Sequence, residues 1–184
     1  MKRLIVIGLM LILSGCATLP PIKNPQITQE NLPSQYLIEG IEIIKPRYNS
    51  CVPACLETVF KFFGKTPDWT KGWLVGARGT TDIDLERFVR LHGFNIYSFY
   101  DGYPSKKKIK YFLSQGYPVL VGGQVGHESK LHMIILIGYD QVKEEFWSID
   151  PSYGRIIKIP YKRFNEFHST DSAYHKYYGL VIYP

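Results

Sequence analysis

The apolar run at residues 131–139 constrains the fold of this chain more than any other stretch. His132 is its only polar side chain before Gly138. This run is the most apolar of the predicted strands, and such a run is typical of a buried strand. The run therefore predicts a buried, central strand of a sheet. A histidine at the start of such a strand needs a partner for each of its ring nitrogens.

Shorter patterns on either side of this run indicate further strands and helices. Segments rich in β-branched and aromatic residues predict strands at residues 36–44, 94–100, 118–123, 145–150, 155–159 and 178–183. Apolar residues at helical spacing, bounded by turn-forming residues, predict helices at residues 51–63, 84–92, 106–114 and 161–167. Most helices precede most strands, so we expect an α+β fold with N-terminal helices packed on a C-terminal antiparallel sheet.

A cysteine opens the first of these helices. Pro53 lies in its first turn, where a missing N–H costs nothing, and Gly64 is a stop signal. A thiol at a helix N-terminus faces unsatisfied N–H groups and the positive end of the helix dipole, and both favour the thiolate. Cys51 is therefore a candidate nucleophile. The alternative is a small buried apolar residue, which is the usual role of a free cysteine.

Cys51, His132 and Asp150 together supply the parts of a thiol-dependent catalytic site. Asp150 ends the strand after the central run, and consecutive strands usually pair, so we expect it beside His132. The cysteine then acts as nucleophile, the histidine as its base, and the aspartate orients the base. Taken singly, His132 also fits a buried core histidine whose two ring nitrogens are both hydrogen-bonded. Asp150 taken singly fits a turn-forming residue before Pro151.

The N-terminus has the features of a targeting segment. Two basic residues precede an apolar run at residues 4–13, which is too short to span a bilayer permanently. Residues 13–16, with the sequence Leu-Ser-Gly-Cys, resemble the lipobox of bacterial lipoproteins. We expect a lipoprotein signal peptide at residues 1–15, a tether at residues 16–35 and a folded domain at residues 36–184. The alternatives are an ordinary secretory signal cut near Ala17 and an uncleaved anchor.

Lipid modification of Cys16 would attach the protein to a membrane of the bacterial cell envelope. Ala17, rather than an aspartate, follows this cysteine and favours the outer membrane. The compartment is then oxidising. Cys51 and Cys55 are four residues apart on one helix, where their Cβ vectors match poorly for a disulfide. We therefore expect two free thiols, with Cys55 packed inside.

Charge and ligand spacing narrow the classes of partner. Removing Lys2 and Arg3 reduces the 22 basic residues to 20, against 16 acidic ones, so the net charge is about +4. The one lysine run, at residues 106–108, fits a solvated helix face, and no basic motif interleaved with aromatic residues points to nucleic acid. The candidate zinc ligands are His127, His132, Cys51 and Cys55. They lack the paired spacing of a zinc site, so we expect neither a metal nor another cofactor.

Three ordered segments resemble the C39 family of papain-like cysteine peptidases. Residues 51–56, Cys-Val-Pro-Ala-Cys-Leu, stand where that family has its nucleophile and following helix. The run at residues 131–139 resembles the family's histidine strand, and residues 150–154, Asp-Pro-Ser-Tyr-Gly, resemble its aspartate turn. The resemblance implies a papain-like α+β fold and thiol-dependent cleavage of a peptide or protein substrate, with catalytic roles for Cys51, His132 and Asp150.

Two positions depart from the family pattern. Val52 follows the cysteine where the family usually has glycine, and the glutamine that donates to the oxyanion before the cysteine has no counterpart here. Asn49 and Lys45 are the candidates for this donor, and Asn49 also fits a helix or turn cap. Two alternatives to an active peptidase therefore stay open: a catalytically weak peptide-binding module of the same fold, and a papain-like cell-wall hydrolase.

Overall fold

The computed structural model describes residues 32–45, 51–72, 80–100, 105–125, 130–168 and 178–184. Within these ranges the chain forms, in order, β1 (Gln35–Leu37), α1 (Cys51–Phe62), α2 (Asp82–Leu91), β2 (Asn95–Phe99), α3 (Ser105–Ser114), β3 (Val119–Val125), β4 (Lys130–Asp140), β5 (Glu145–Asp150), β6 (Arg155–Pro160), α4 (Tyr161–His168) and β7 (Gly179–Tyr183). None of the helices in these ranges is both long and apolar enough to cross a membrane.

The strands form one antiparallel sheet with β4 near its centre. The order is β2-β7-β3-β4-β5-β6, and β1 pairs with the C-terminal end of β4. β4 is the longest strand, and it is buried from Met133 to Asp140. The apolar run thus forms the central buried strand that its sequence predicts.

Helices cover both faces of this sheet. Leu120 and Ile135 are cross-strand partners on the face that α1 and α2 cover. Val121 and Ile134 are partners on the opposite face, beneath α3 and α4. The predicted α+β class, with helices packed on an antiparallel sheet, is confirmed, and the helices divide between the two faces of that sheet. A strand that is apolar on both faces requires a cover on each.

The first strand is much shorter than its sequence predicts. The prediction covered residues 36–44, whereas β1 contains only Gln35–Leu37. Gly40 adopts a left-handed φ of 76°, which leads the chain out of the sheet. Ile41 and Ile43 then pack on the core beneath α1, and the Ile44 N–H donates to the Thr58 hydroxyl at 3.3 Å. These isoleucines are apolar because they cover a helix, not because they pair in the sheet.

The folded part of the chain begins before residue 36. The Gln141 N–H donates to the Ser34 carbonyl at 2.8 Å, and the Gln141 side-chain amide donates to the Pro33 carbonyl at 2.8 Å. Residues 33–35, which the predicted tether included, are therefore attached to the end of β4. Residues 33–35 contribute only main-chain groups to these hydrogen bonds, so their polar and proline-rich side chains give no sign of the attachment.

Candidate active site

The candidate site lies where β5 ends beside β4. The last pair between these strands at this end is Ile135 with Ile149, and β5 stops at Asp150 because Pro151 has no N–H with which to extend the ladder. Met133 lies beyond that pair. Its partner in β3, Gly122, directs its own N–H to the Tyr178 carbonyl on the side away from β4. The N–H and C=O of Met133 accordingly point away from β3, towards the edge that β5 leaves open.

The first two turns of α1 cover this open edge. The Cys55 thiol donates to the Met133 carbonyl at 3.4 Å. Cys51, the half-buried first residue of α1, accepts a backbone hydrogen bond from Met133. The two cysteines are one helical turn apart and so lie on the same face of the helix. This docking places the Cys51 thiol beside the strand that carries His132.

His132 and Asp150 are diagonal neighbours on β4 and β5. The Nε2–H of His132 donates to Oδ1 of Asp150 at 2.8 Å. The same carboxylate oxygen accepts the Ser152 N–H at 2.8 Å, which closes the turn after β5 and holds the carboxylate in place. Because Nε2 is bound to Asp150, Nδ1 is the ring nitrogen left for Cys51, with which His132 is also hydrogen-bonded.

The electrostatics of these three groups favour an ion pair. Burial raises the pKa of the Cys51 thiol, but hydrogen bonds with His132 and Met133 outweigh burial and hold that pKa below its ordinary value. Burial lowers the pKa of His132, but its hydrogen bonds with Asp150 and Cys51 outweigh burial and raise that pKa to about 9. Burial likewise opposes ionisation of Asp150, yet the hydrogen bond from His132 lowers its pKa. Each of the three groups is therefore shifted towards its charged form: thiolate, imidazolium and carboxylate.

Cys55 is chemically unlike Cys51 although both cysteines are on α1. Burial raises the pKa of the Cys55 thiol well above its usual range, and the negative charges of Cys51 and Asp150 raise it further. Both cysteines are free, and Cys55 is fully buried, as predicted. The neutral thiol of Cys55 remains a hydrogen-bond donor under conditions in which Cys51 is ionised.

A glycine and a phenylalanine pack beside His132. Gly123 is the cross-strand partner of His132 in β3, and the main-chain oxygen and ring of Phe167 in α4 occupy the space where a side chain at position 123 would lie. His168 follows on the same helix and bonds the Gly122 carbonyl through Nδ1 at 2.9 Å. The end of α4 thus supports the strand segment opposite His132.

Of the remaining predicted residues, only Lys45 lies in the part of the chain that the structure describes. Lys45 is exposed, and its methylene chain lies against Gly154 in the turn after Asp150. Asn49, Cys16 and His127 lie outside the described residues. In the part of the chain that the structure describes, no three His, Cys, Asp or Glu side chains form a group suited to a metal ion.

Three features of the site are absent from the sequence prediction. Met133 contributes through its main chain, Ser152 through its N–H, and Phe167 through its packing on Gly123. The role of the Met133 main chain had one signal in the sequence, which is Pro151. A proline at the end of a strand leaves main-chain groups of the neighbouring strand without a partner. The packing of Phe167 has no signal in the local pattern because α4 and β3 are distant in the chain.

Solved structures with the same arrangement of helices and strands are papain-like cysteine proteases. The chain is similar to the peptidase domain of Streptococcus ComA, a bifunctional ABC transporter involved in a quorum-sensing pathway, with a TM-score of 0.57, 17% identity, and coverage of 78% of this chain and 98% of that one. It is also similar to xylellain, a cysteine protease from Xylella fastidiosa, with a TM-score of 0.57, 11% identity, and coverage of 90% and 94%. These likenesses establish the papain-like fold.

The family assignment follows from the sequence as a whole. Residues 22–180 match the Peptidase_C39 like family, so the chain belongs to that family. No curated protein matches the chain. The fold and family support a peptidase function.

Proposed function

We propose that the protein is a thiol-dependent peptidase of the bacterial cell envelope that cleaves a peptide or protein through Cys51, His132 and Asp150. The observation that carries this proposal is the arrangement of the three side chains. His132 bonds Asp150 through Nε2 at 2.8 Å and is also hydrogen-bonded to Cys51 at the N-terminus of a helix. A core histidine would be satisfied by any two partners, whereas these two are the groups that nucleophilic catalysis requires.

The proposed reaction begins with the ion pair. The Cys51 thiolate attacks the carbonyl carbon of a peptide bond, forming a C–S bond and a tetrahedral oxyanion. His132 then gives its proton to the leaving nitrogen as the C–N bond breaks, and the free amine departs. Water, deprotonated by His132, attacks the thioester and releases the acid and the thiolate. Asp150 stabilises the imidazolium and keeps the ring oriented throughout.

The oxyanion is the point of greatest negative charge in this reaction. The main-chain N–H of Cys51, at the start of α1, is one proposed donor because no residue of the same helix can accept its hydrogen bond. Asn49 or Lys45 is the proposed second donor. A side-chain donor at this position is worth several kcal/mol in acyl transfer, and an amide is better preorganised than a flexible ammonium.

The cellular location is part of the proposal. Residues 1–15 would be removed as a signal peptide, Cys16 would carry the lipid, and the protein would be held at the envelope, with the outer membrane favoured by Ala17. Incorporation of a labelled fatty acid into the full chain, and its loss in Cys16→Ser, tests this location independently of catalysis.

Thiol labelling tests the nucleophile. Native protein is treated with iodoacetamide, and the modified peptides are resolved by mass spectrometry so that Cys16, Cys51 and Cys55 are scored separately. We expect Cys51 to react at least about a hundredfold faster than the buried, protonated Cys55. Equal and slow labelling of Cys51 and Cys55 would remove the nucleophile from the proposal.

Substrate assays then separate the proposed activity from its alternatives. The parent and Cys51→Ala are incubated with a peptide library and with purified peptidoglycan. Cleavage of peptides by the parent alone supports the peptidase. Peptide binding that survives Cys51→Ala, with no cleavage by the parent, supports the peptide-binding module that Val52 and the missing glutamine favour. Release of peptidoglycan fragments supports the cell-wall hydrolase.

A further inference from the structure

We infer that Cys55, a buried thiol that the proposed reaction does not use, is a positioning residue that holds Met133 against the Cys51 thiolate. This inference rests on the proposed function, because the thiolate that Met133 bonds is the proposed nucleophile. Cys55 itself touches neither substrate nor reacting atoms, and acts only through the main chain of Met133.

The contact between Cys55 and Met133 joins α1 to β4. The Cys55 thiol is fully buried and donates to the Met133 carbonyl at 3.4 Å. No strand supplies this carbonyl with a donor, since β5 pairs with β4 only from Ile135 onwards. A buried carbonyl without a donor is costly, so this bond keeps the first turns of α1 seated on the open edge of β4.

The same residue of β4 faces both cysteines. In a strand the N–H and C=O of one residue point to the same edge. A donor that holds the carbonyl of Met133 therefore also directs its N–H towards α1, where Cys51 accepts a hydrogen bond from it. Two thiols one helical turn apart thus engage the two main-chain polar groups of a single residue, one as donor and the other as acceptor.

The protonation states of the two cysteines suit these opposite roles. Cys51 accepts the bond from Met133 more strongly as a thiolate, which is also its nucleophilic form, whereas Cys55 must keep its proton to donate. Burial raises the pKa of Cys55 and prevents it from ionising alongside Cys51. An alanine at position 55 has no hydrogen-bond donor. A serine there keeps a donor, the hydroxyl, on a C–O bond that is shorter than the C–S bond of cysteine.

Loss of the Cys55 donor should loosen Met133 and weaken its bond to the thiolate. The pKa of Cys51 should then rise, so that fewer Cys51 side chains are ionised at any given pH below it. His132 is the preceding residue of β4, so its ring should also be held less firmly. The predicted effect is on the chemistry of Cys51, which is why a measurement of global stability alone does not test it.

The experiment measures the pH dependence of iodoacetamide labelling at Cys51 in the full chain. The parent is compared with Cys55→Ala, with Cys55→Val, a somewhat larger apolar side chain without a donor, and with Cys55→Ser, which restores a donor. We expect labelling at pH values below the Cys51 pKa to fall about threefold in the alanine and valine variants, the size of one net hydrogen bond, and to recover in the serine variant. If Cys55→Ala does not fold, the comparison between the valine and serine variants tests the inference on its own.

Val59→Ala is the matched control, because Val59 is fully buried one turn further along the same face of α1. It should lose stability without changing the labelling profile. Identical profiles in the parent and the donor-free variants would overturn the inference, as would a shift of equal size in Val59→Ala. A parent in which Cys51 is no more reactive than Cys55 would instead overturn the proposed function.

Discussion

His132 and Asp150 share a hydrogen bond of 2.8 Å that crosses from β4 to the end of β5, and the oxygen that accepts it also accepts the Ser152 N–H. The carboxylate that would orient the catalytic ring is therefore the same group that closes the turn after the strand. Any change that reshapes this turn will also move the acceptor of the histidine. The turn and the proposed base are mechanically coupled.

Asp150→Asn tests the charge of this carboxylate. The amide keeps the shape of the side chain and an oxygen for Ser152, but it no longer stabilises an imidazolium. We expect the pKa of His132 to fall from about 9, and the peptidase rate to fall roughly a hundredfold or more. The measurement is the pH dependence of kcat/KM on a substrate identified from the peptide library.

Asp140→Asn is the matched control for that variant. Asp140 is a buried aspartate at the end of β4, and its Oδ1 accepts two turn N–H groups, from Val142 and Lys143, at 3.0 Å each. Its substitution should affect stability and leave the pH profile in place. A profile for Asp150→Asn that coincides with that of the parent would show that the carboxylate has no electrostatic role in catalysis.

The pH dependence of the unaltered protein follows from the ion pair. The proposed reaction requires Cys51 without its proton and His132 with one. As pH rises through about 9, His132 loses its proton and the rate should decline; as pH falls below the lowered pKa of Cys51, the thiolate is protonated and the rate should decline again. A bell-shaped profile of kcat/KM is the expected result. A rate that keeps rising above the pKa of His132 would indicate that the imidazolium is not required.

Gly123→Ala tests the packing beside His132. A Cβ at this position would overlap the main chain and ring of Phe167, and a backbone neighbour cannot move away easily. We expect a loss of about 1–3 kcal/mol in the free energy of unfolding, measured with urea, and a lower peptidase rate because the strand opposite His132 shifts.

Gly122→Ala is the control for Gly123→Ala one position away on the same buried strand. The nearest atom to its added Cβ is in the Tyr178 ring at 3.8 Å, an ordinary contact. This variant should lose less than about 1 kcal/mol. Equal losses at the two glycines would contradict the role assigned to Phe167.

Thr81→Ala tests stability at a distance from the proposed site. Thr81 is the N-cap of α2; its hydroxyl accepts the Asp84 N–H at 3.2 Å and donates to the Asp84 carboxylate at 2.6 Å. We expect a loss of about 1 kcal/mol in the free energy of unfolding, with an unchanged rate of Cys51 labelling. Thr81→Ser should keep both properties. A change in Cys51 labelling would show that α2 and the site are coupled.

The sequence predicted the parts of this fold that have a strong local signature. The run that became β4 is apolar at successive positions, and only burial on both faces explains such a pattern. The proximity of His132 and Asp150 followed from the rule that consecutive strands pair. The catalytic roles of these residues, and of Cys51, stay predictions until activity is measured.

The parts that escaped prediction depend on contacts between distant segments. Ile41 and Ile43 have the composition of a strand, but they pack beneath α1. Met133 takes part in the site through its main-chain N–H and C=O. Every residue other than proline carries both groups, so the identity of the side chain does not indicate the contact. A local sequence pattern does not show where a neighbouring strand ends, and therefore does not show which main-chain groups are left without a strand partner.

The attachment of residues 33–35 to the end of β4 determines how the molecule would be held. His132 lies eight residues along β4 from Asp140, where Gln35 pairs, so the two are separated by about 26 Å. A lipid on Cys16, as proposed, would then be joined to the domain at the end of β4 that is remote from the proposed site. A substrate would then reach the proposed site without passing the point at which the anchor joins the domain.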